Sequence, residues 1–226
     1  MAHPLDNPAW SALTTSQAHL ARGGALALRY DGDHAIFAAS ASHDPAPLAA
    51  LGALVAASGA AIVAEKTPLP MVPRTVIHKH RMAVQMVAEA PAPPDPDFTF
   101  LDLGDADAAE MLALATLTEP GPFFRGTHRM GRFIGIRHEG RLIAMAGERM
   151  RTPGYAEVSG VCTHPDFRGA GLAGKLMRVV AGRMVAQGEM PFLHAYADNA
   201  SAIALYERLG YRWRADINIT VLAPAG

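Results

Sequence analysis

The sequence predicts an α/β chain of the α+β kind: a mixed, mainly antiparallel sheet with flanking helices, preceded by a smaller α/β unit. Three observations carry this. About 50% of the 226 residues are hydrophobic and 18% are charged, enough apolar side chain for a sizeable core. Runs with the two-residue period of strands alternate with runs of helical spacing. Glu89 to Asp97 holds four prolines in nine residues, a semi-rigid connector that divides the pattern. The expected units are an N-terminal domain at 1–90, a linker at 91–97 and a larger domain at 98–226.

In the first unit, Asn7-Pro8 starts a helix, with a capping side chain ahead of a proline at the first helical position, and the helix is expected to reach about Arg22 before Gly23-Gly24. Strands Ala25 to Tyr30 and Ala35 to Ser40 flank the turn residues Asp31-Gly32-Asp33. Leu48, Leu51, Leu54 and Val55 form a helical stripe, Ser58-Gly59 breaks it, and Ala61 to Ala64 reads as a strand. This uncharged stretch is short of the roughly 20 residues needed to cross a bilayer, so no membrane span is expected. Thr75 to Ala88 is a strand carrying Val76, Met82, Val84 and Met86. His78 and His80 share one face of it without a third ligand, so no metal is expected.

Beyond the linker, Phe98 to Leu103 reads as a strand and Asp105 to Leu117 as a helix. Phe133 to Ile136 and Leu142 to Met150 form a hairpin around Glu139-Gly140, and Thr152-Pro153-Gly154 turns into a third strand, Tyr155 to Thr163. Helix Leu172 to Gln187, strand Phe192 to Tyr196, helix Ala200 to Leu209 and strand Tyr211 to Val221 follow. Three antiparallel strands and then a crossover helix into a parallel neighbour make a mixed sheet rather than a doubly wound one.

Composition narrows the function. A lone cysteine, Cys162, makes no internal disulfide, and MAHPLDNPAW has no basic and apolar leader, so a reducing cytoplasm is the expected setting. With 20 basic and 21 acidic residues, no overall field draws nucleic acid or anionic lipid. Any anionic ligand must be held locally, by a monomer or a homodimer. The segment suited to this is Val161-Cys-Thr-His-Pro-Asp-Phe-Arg168-Gly-Ala-Gly171-Leu-Ala-Gly174-Lys175, between a strand and a helix, where glycines let backbone amides approach a phosphate. Gly169 to Gly174 spells GxGxxG, yet five residues separate it from the strand and the preceding sheet is a meander, unlike a dinucleotide fold. A P-loop needs Ser or Thr after the lysine, where Leu176 stands. A glycine-rich packing turn is the bland alternative.

Arg168-Gly-Ala-Gly171-Leu-Ala173 resembles the (Q/R)-x-x-G-x-(G/A) signature of the GCN5-related N-acetyltransferases, the GNAT superfamily. Asn199-Ala-Ser-Ala-Ile-Ala-Leu-Tyr206-Glu-Arg-Leu-Gly210-Tyr211 is similar to its second signature, and Pro191-Phe-Leu-His to the FR47-like branch. The likeness runs from about Val158 to Tyr211, and the strand order fits from Phe98. The first unit is readable as a degenerate half-copy of the same fold, without a motif to support it.

The resemblance implies acetyl-CoA as cofactor. Amides of Gly169, Ala170, Gly171, Leu172 and Ala173, with Gly174 at the same helix start, would cradle its pyrophosphate, Arg168 and Lys175 adding charge. The pantetheine arm would lie along Val161, Cys162 and Thr163, an amide of which polarises the thioester carbonyl. Asn199 would cap the second helix and touch the pantetheine. Tyr206 is the implied proton donor to the thiolate, with packing as its plain alternative. Glu157, six residues before Thr163, is the first candidate base, expected at a raised pKa. A solvent-facing strand glutamate or an ion-pair partner for Arg149 or Arg151 is the equal alternative. His194 is the second candidate base, or a hydrogen-bonded core histidine. Cys162, in an apolar strand, is a poor nucleophile. Phe123 and Phe124, in the loop after the first helix of the larger domain, are expected as an acceptor-pocket wall or as packing between domains. The reading is an acetyl-CoA-dependent N-acetyltransferase that passes the acetyl group to a small-molecule or peptide amine by direct attack. The alternatives are a non-catalytic CoA-binding regulatory module and, further off, a nucleotide-dependent oxidoreductase.

Overall fold

The computed structural model describes residues 3–226. Its centre is an eight-stranded sheet. The meander of β7 (Phe133–His138), β8 (Arg141–Thr152) and β9 (Tyr155–Thr163) is antiparallel, as its turn residues predict. Helix α4 (Leu172–Ala186) then crosses over to β10 (Met190–Tyr196), which runs parallel to β9. On the meander's outer edge lies β6 (Leu101–Leu103), shorter than the expected Phe98 to Leu103. The two phenylalanines ahead of it are instead partly buried against the α4 side of the sheet, where the Lys175 ammonium and the Arg183 guanidinium lie over their rings.

On the other side the two parts of the chain interleave. Strand β5 (Thr75–Val87), from before the proline-rich stretch, sits between β10 and the last strand, β11 (Arg212–Pro224). In turn β11 pairs with β4 (Ala61–Glu65). The remaining elements before the linker are α1 (Pro8–Thr14), a three-stranded sheet of β1 (Ala21–Gly24), β2 (Ala27–Tyr30) and β3 (Ala38–Ser40), and α2 (Pro45–Ser58). After the linker α3 (Ala108–Thr118) precedes the meander, and α5 (Ala200–Arg208) joins β10 to β11.

Helix α1 starts where the sequence says, with the Asn7 side chain accepting from Trp10 N, but it stops at Thr14 instead of continuing to Arg22. The cause is capture of Gln17 by the core. Its amide donates to the carbonyls of Met130 and Arg149 at 3.1 and 2.7 Å, and its oxygen accepts from Tyr30 Oη at 2.7 Å. Tertiary bonding of this kind overrides a modest helical preference, and Ala21–Gly24 becomes a strand. Helix α2 ends at Gly59, as its sequence predicts.

The sheet is covered on both faces. Leu176, Met177, Val180 and Met184 of α4 pack on Ile134, Ala144, Ala146 and Leu193. The opposite face buries Ala83, Met150, Phe192, Ala215 and Ile217 beneath Leu5, Ala9, Leu13, Tyr30 and Phe37. No helix among the described residues is long and apolar enough to cross a membrane.

Candidate active site

Strands β9 and β10 stay together only briefly: Met190 to Phe192 pair with Tyr155 to Glu157, after which β10 turns to β5 and the two strands part. A bulge in β9 marks the divergence, where the register with β8 jumps between Ser159 and Cys162. Gly160 holds the bulge at φ +63°, and a Cβ there would lie 2.8 Å from the Phe133 ring, so glycine is required on both counts. Past it, His164 N donates to Ile143 O, which turns that residue toward β8. By strand alternation the amides of Val161 and Thr163 face the open gap.

The gap leads to the glycine-rich loop. Lys175 N, bonded to Gly171 O at 3.1 Å, makes the first helical hydrogen bond of α4. The amides of Gly169 through Gly174 have no backbone acceptor among the described residues. Gly171 takes the left-handed conformation at φ +73° as it enters the helix. A row of free amides at the positive end of a 15-residue helix is an anion cradle. Val161, Cys162, Thr163, Arg168, Gly169, Gly171, Leu172, Ala173 and Gly174 line a concavity of about 460 Å³ there. Arg168 is free to face an anion from this rim, its Nε only 3.4 Å from Thr163 O. Lys175 is turned away, toward Asp95 at 3.9 Å. Burial pushes the Cys162 thiol up to about 11, which keeps its side chain out of nucleophilic chemistry.

A second cavity of about 420 Å³ opens between the parted strands, and Glu157, His194, Tyr206, Asn199 and Val161 all line it. Asn199 Oδ1 accepts from Ala202 N at 3.2 Å, capping α5 as expected. The Tyr206 hydroxyl has no hydrogen-bond partner in the described chain, and burial raises its pKa, so it enters the cavity protonated.

Glu157 does not have the raised pKa that its apolar neighbours predict. It is 1% exposed, and Arg149 Nε and Nη2 each reach it at 2.8 Å. Met150 N adds 3.3 Å and His194 Nδ1 adds 2.9 Å. Burial alone would raise its pKa, but the charge and hydrogen bonds of Arg149 outweigh that and hold the carboxyl well below its ordinary 4.5. Arg151, the other partner considered, binds Glu148 and Glu189.

His194 is engaged at both nitrogens. Gln85 accepts from Arg214 Nη1 at 2.7 Å through Oε1 and donates to Leu5 O at 3.0 Å through Nε2, which fixes its amide orientation. Gln85 Nε2 therefore donates to His194 Nε2 at 2.9 Å, and the imidazole proton sits on Nδ1, directed at Glu157. A polar row, Arg149–Glu157–His194–Gln85–Arg214, thus crosses five strands. Neither Gln85 nor Arg214 was singled out from the sequence, since they stand 109 and 129 residues from the partners that place them in the row, whereas Arg149 is only 8 residues from Glu157. Arg149 entered there only as a pairing alternative for Glu157.

Comparison with known proteins agrees with this geometry. The FR47-like family model matches residues 133–219. A solved GNAT-family acetyltransferase structure from Novosphingobium aromaticivorans DSM 12444 is 44% identical, covers 100% of both chains and superposes with a TM-score of 0.94. The chain belongs to the GNAT family. A GCN5-related N-acetyltransferase from Kribbella flavida shares the fold at 19% identity, 96% and 94% coverage of the two chains and a TM-score of 0.65. A mycothiol acetyltransferase of Corynebacterium aurimucosum is 43% identical over 61 residues, which span 26% of this chain and only 20% of that protein.

In this GNAT protein the loop after α3 differs from the sequence-based expectation. Phe123 and Phe124 do not line the cavity. Phe123 stacks edge-on against Phe133 at 5.6 Å. Phe124 N bonds Thr127 Oγ1, and the loop is tied to the N-terminal part through Gly126 N to Asp33 O at 2.7 Å and Thr127 Oγ1 to His34 O at 2.6 Å. The Phe123 ring and the polar groups of the loop anchor it, and Thr118 to Pro122 reach the cavity instead. The far wall is Phe37, Ile62, Ala64 and Ala83, all from before the proline-rich stretch, with Ile219 of β11.

Proposed function

We propose that the protein transfers the acetyl group of acetyl-CoA to a primary amine by direct attack in a ternary complex. The observation that carries this reading is continuity: free amides at Gly169 to Gly174, an open strand edge at Val161 to Thr163 and a cavity holding an unbonded tyrosine hydroxyl follow one another along one groove. Acetyl-CoA would bring the activated acyl group and a thiolate leaving group. The loop amides fit its pyrophosphate, since the acceptor-free N–H groups and the helix end both favour negative charge. An amide of Val161 or Thr163 serves as donor to the thioester oxygen, worth about 3–4 kcal/mol in the transition state. Tyr206 gives its proton to the departing sulfur.

Glu157 and His194 act in this scheme as positioning residues. All four in-plane lone pairs of the carboxylate are taken, and the free lone pair of the imidazole is taken by Gln85. The amine accordingly loses its proton to water at the cavity mouth. The expected mark is a kcat/KM that rises with pH up to the acceptor's own pKa. We take the setting to be the cytoplasm and the acceptor to be a small amine or a peptide terminus.

The saturation of both candidate bases favours one alternative, a CoA-binding regulatory module without turnover. Two measurements separate the readings. Acetyl-CoA should raise the melting temperature where NAD and ATP do not. Thiol release from acetyl-CoA should then depend on an added amine. Stabilisation without release in any amine would select the regulatory module.

A further inference from the structure

Among the cavity-wall side chains with polar atoms that the catalytic scheme leaves idle, which include Ser159 and Tyr196, Arg149 is the buried cation. Arg149 is 9% exposed and lies in the cavity wall, with its Cζ 4.6 Å from the centroid of the Phe37 ring, which shares that wall. Its Nε and Nη2 edge is committed to Glu157. Nη1, at the opposite corner of the guanidinium, has no acceptor among the described residues. The same cavity is walled by the apolar Phe37, Ile62, Ala64, Ala83 and Ile219, together with the polar Ser159 and Tyr196. Nη1 is open to the cavity, where an acceptor atom of a ligand can take the place of the water it would otherwise bond.

Charge decides what kind of acceptor atom fits. The positive charge of Arg149 is already cancelled by Glu157 at 2.8 Å, and the proton on His194 Nδ1 serves the same carboxylate. A carboxylate on the acceptor would leave one net negative charge in a water-poor cavity, and a second ammonium would lie beside a guanidinium without a free acid. Glu119, the remaining carboxylate of the lining, is exposed at the mouth. A neutral carbonyl satisfies Nη1 with no charge left over.

Resting on the acetyltransfer reading, we infer that the acceptor is an amine on a compact apolar body that carries one neutral carbonyl, such as an amino-acid amide or the first residue of a peptide, with Arg149 Nη1 donating to that carbonyl. Free amino acids and polyamines are disfavoured by the same balance of charge.

The test uses the intact protein, acetyl-CoA and four amines, three of them with one apolar body: leucinamide, leucine and isopentylamine, together with spermidine. Thiol release is followed, and kcat/KM is referred to the neutral amine so that the acceptors' own acidities do not enter. Leucinamide should exceed each of the others by about tenfold or more, the scale of one hydrogen bond to a charged group. Arg149→Lys keeps a cation for Glu157 but removes Nη1. With its melting temperature checked for folding, it should reduce the advantage of leucinamide over isopentylamine to near parity. Preference for leucine, isopentylamine or spermidine, or an unchanged preference in folded Arg149→Lys, overturns this inference and leaves acetyl transfer standing. Release with none of the four overturns both.

Discussion

The two ends of the groove are built on opposite principles. In the proposed scheme the donor end is backbone: the amides of Gly169 to Gly174 and the open edge of β9, all within one short stretch of chain. The acceptor end is side chain: Arg149, Glu157, His194, Gln85 and Arg214, one from each of five strands, closed over by Leu5 and Phe37. A backbone site tolerates most substitutions that keep its conformation. A buried polar row tolerates few, because removing one member strands the next without a partner.

Substitutions at each end put that contrast to the test. The largest effect should come from Glu157→Gln, which leaves the Arg149 guanidinium buried and unpaired and should cost about 3–5 kcal/mol, read from the urea midpoint. The sign with pH follows from the depressed carboxyl. Its contribution to stability is present above the ordinary value of 4.5 and is lost as pH falls below it, so the wild type should weaken in that acid range and the variant should lack this component. Next in size, Tyr206→Phe should lower kcat by about a hundredfold while leaving acetyl-CoA binding intact, as for loss of a general acid. At the loop, Gly171→Ala meets no neighbour with its new Cβ and suffers only the φ of +73°. A loss of about 1–2 kcal/mol, seen as weaker acetyl-CoA binding, is expected from that backbone strain alone. Smallest of all, Cys162 should stay unlabelled by iodoacetamide at neutral pH in the folded protein and label fully once unfolded, since it is 6% exposed and its thiol is pushed up to about 11. Labelling at the rate of a free thiol would show that the β9 edge opens.

The same contrast explains what could be read from the residues. The helix start at Gly171, the cap at Asn199 and the meander with its Glu139-Gly140 and Pro153-Gly154 turns are local, and each appears where its residues predict. Glu157, His194 and Tyr206 were also legible as lining residues, because their spacing from the loop and from Asn199 is fixed within strands and helices. Of the chemistry of Glu157 and His194, the pairing with Arg149 and the hydrogen-bonded histidine were legible as alternatives, but the saturation of both groups was not. The partner that lowers the Glu157 pKa stands on β8, and the amide that occupies His194 Nε2 stands on β5, which nothing near it marks as a neighbour of β10. Phe123 and Phe124 do not line the cavity for a similar reason: Phe123 packs on Phe133, and their loop is tied through Gly126 and Thr127 to Asp33 and His34, which lie in other parts of the sequence.

The placement of β5 between β10 and β11 has a consequence for how the molecule is made. On the ribosome, β5 emerges long before either flanking strand exists, and β4 waits for β11 as well. Both must remain unzipped through most of synthesis, so the final sheet closes late and over long loops, a route that is slow and exposes bare strand edges to other chains. Severing the polypeptide within the proline-rich segment would therefore be expected to yield two fragments that complement each other when co-expressed, and neither that folds alone.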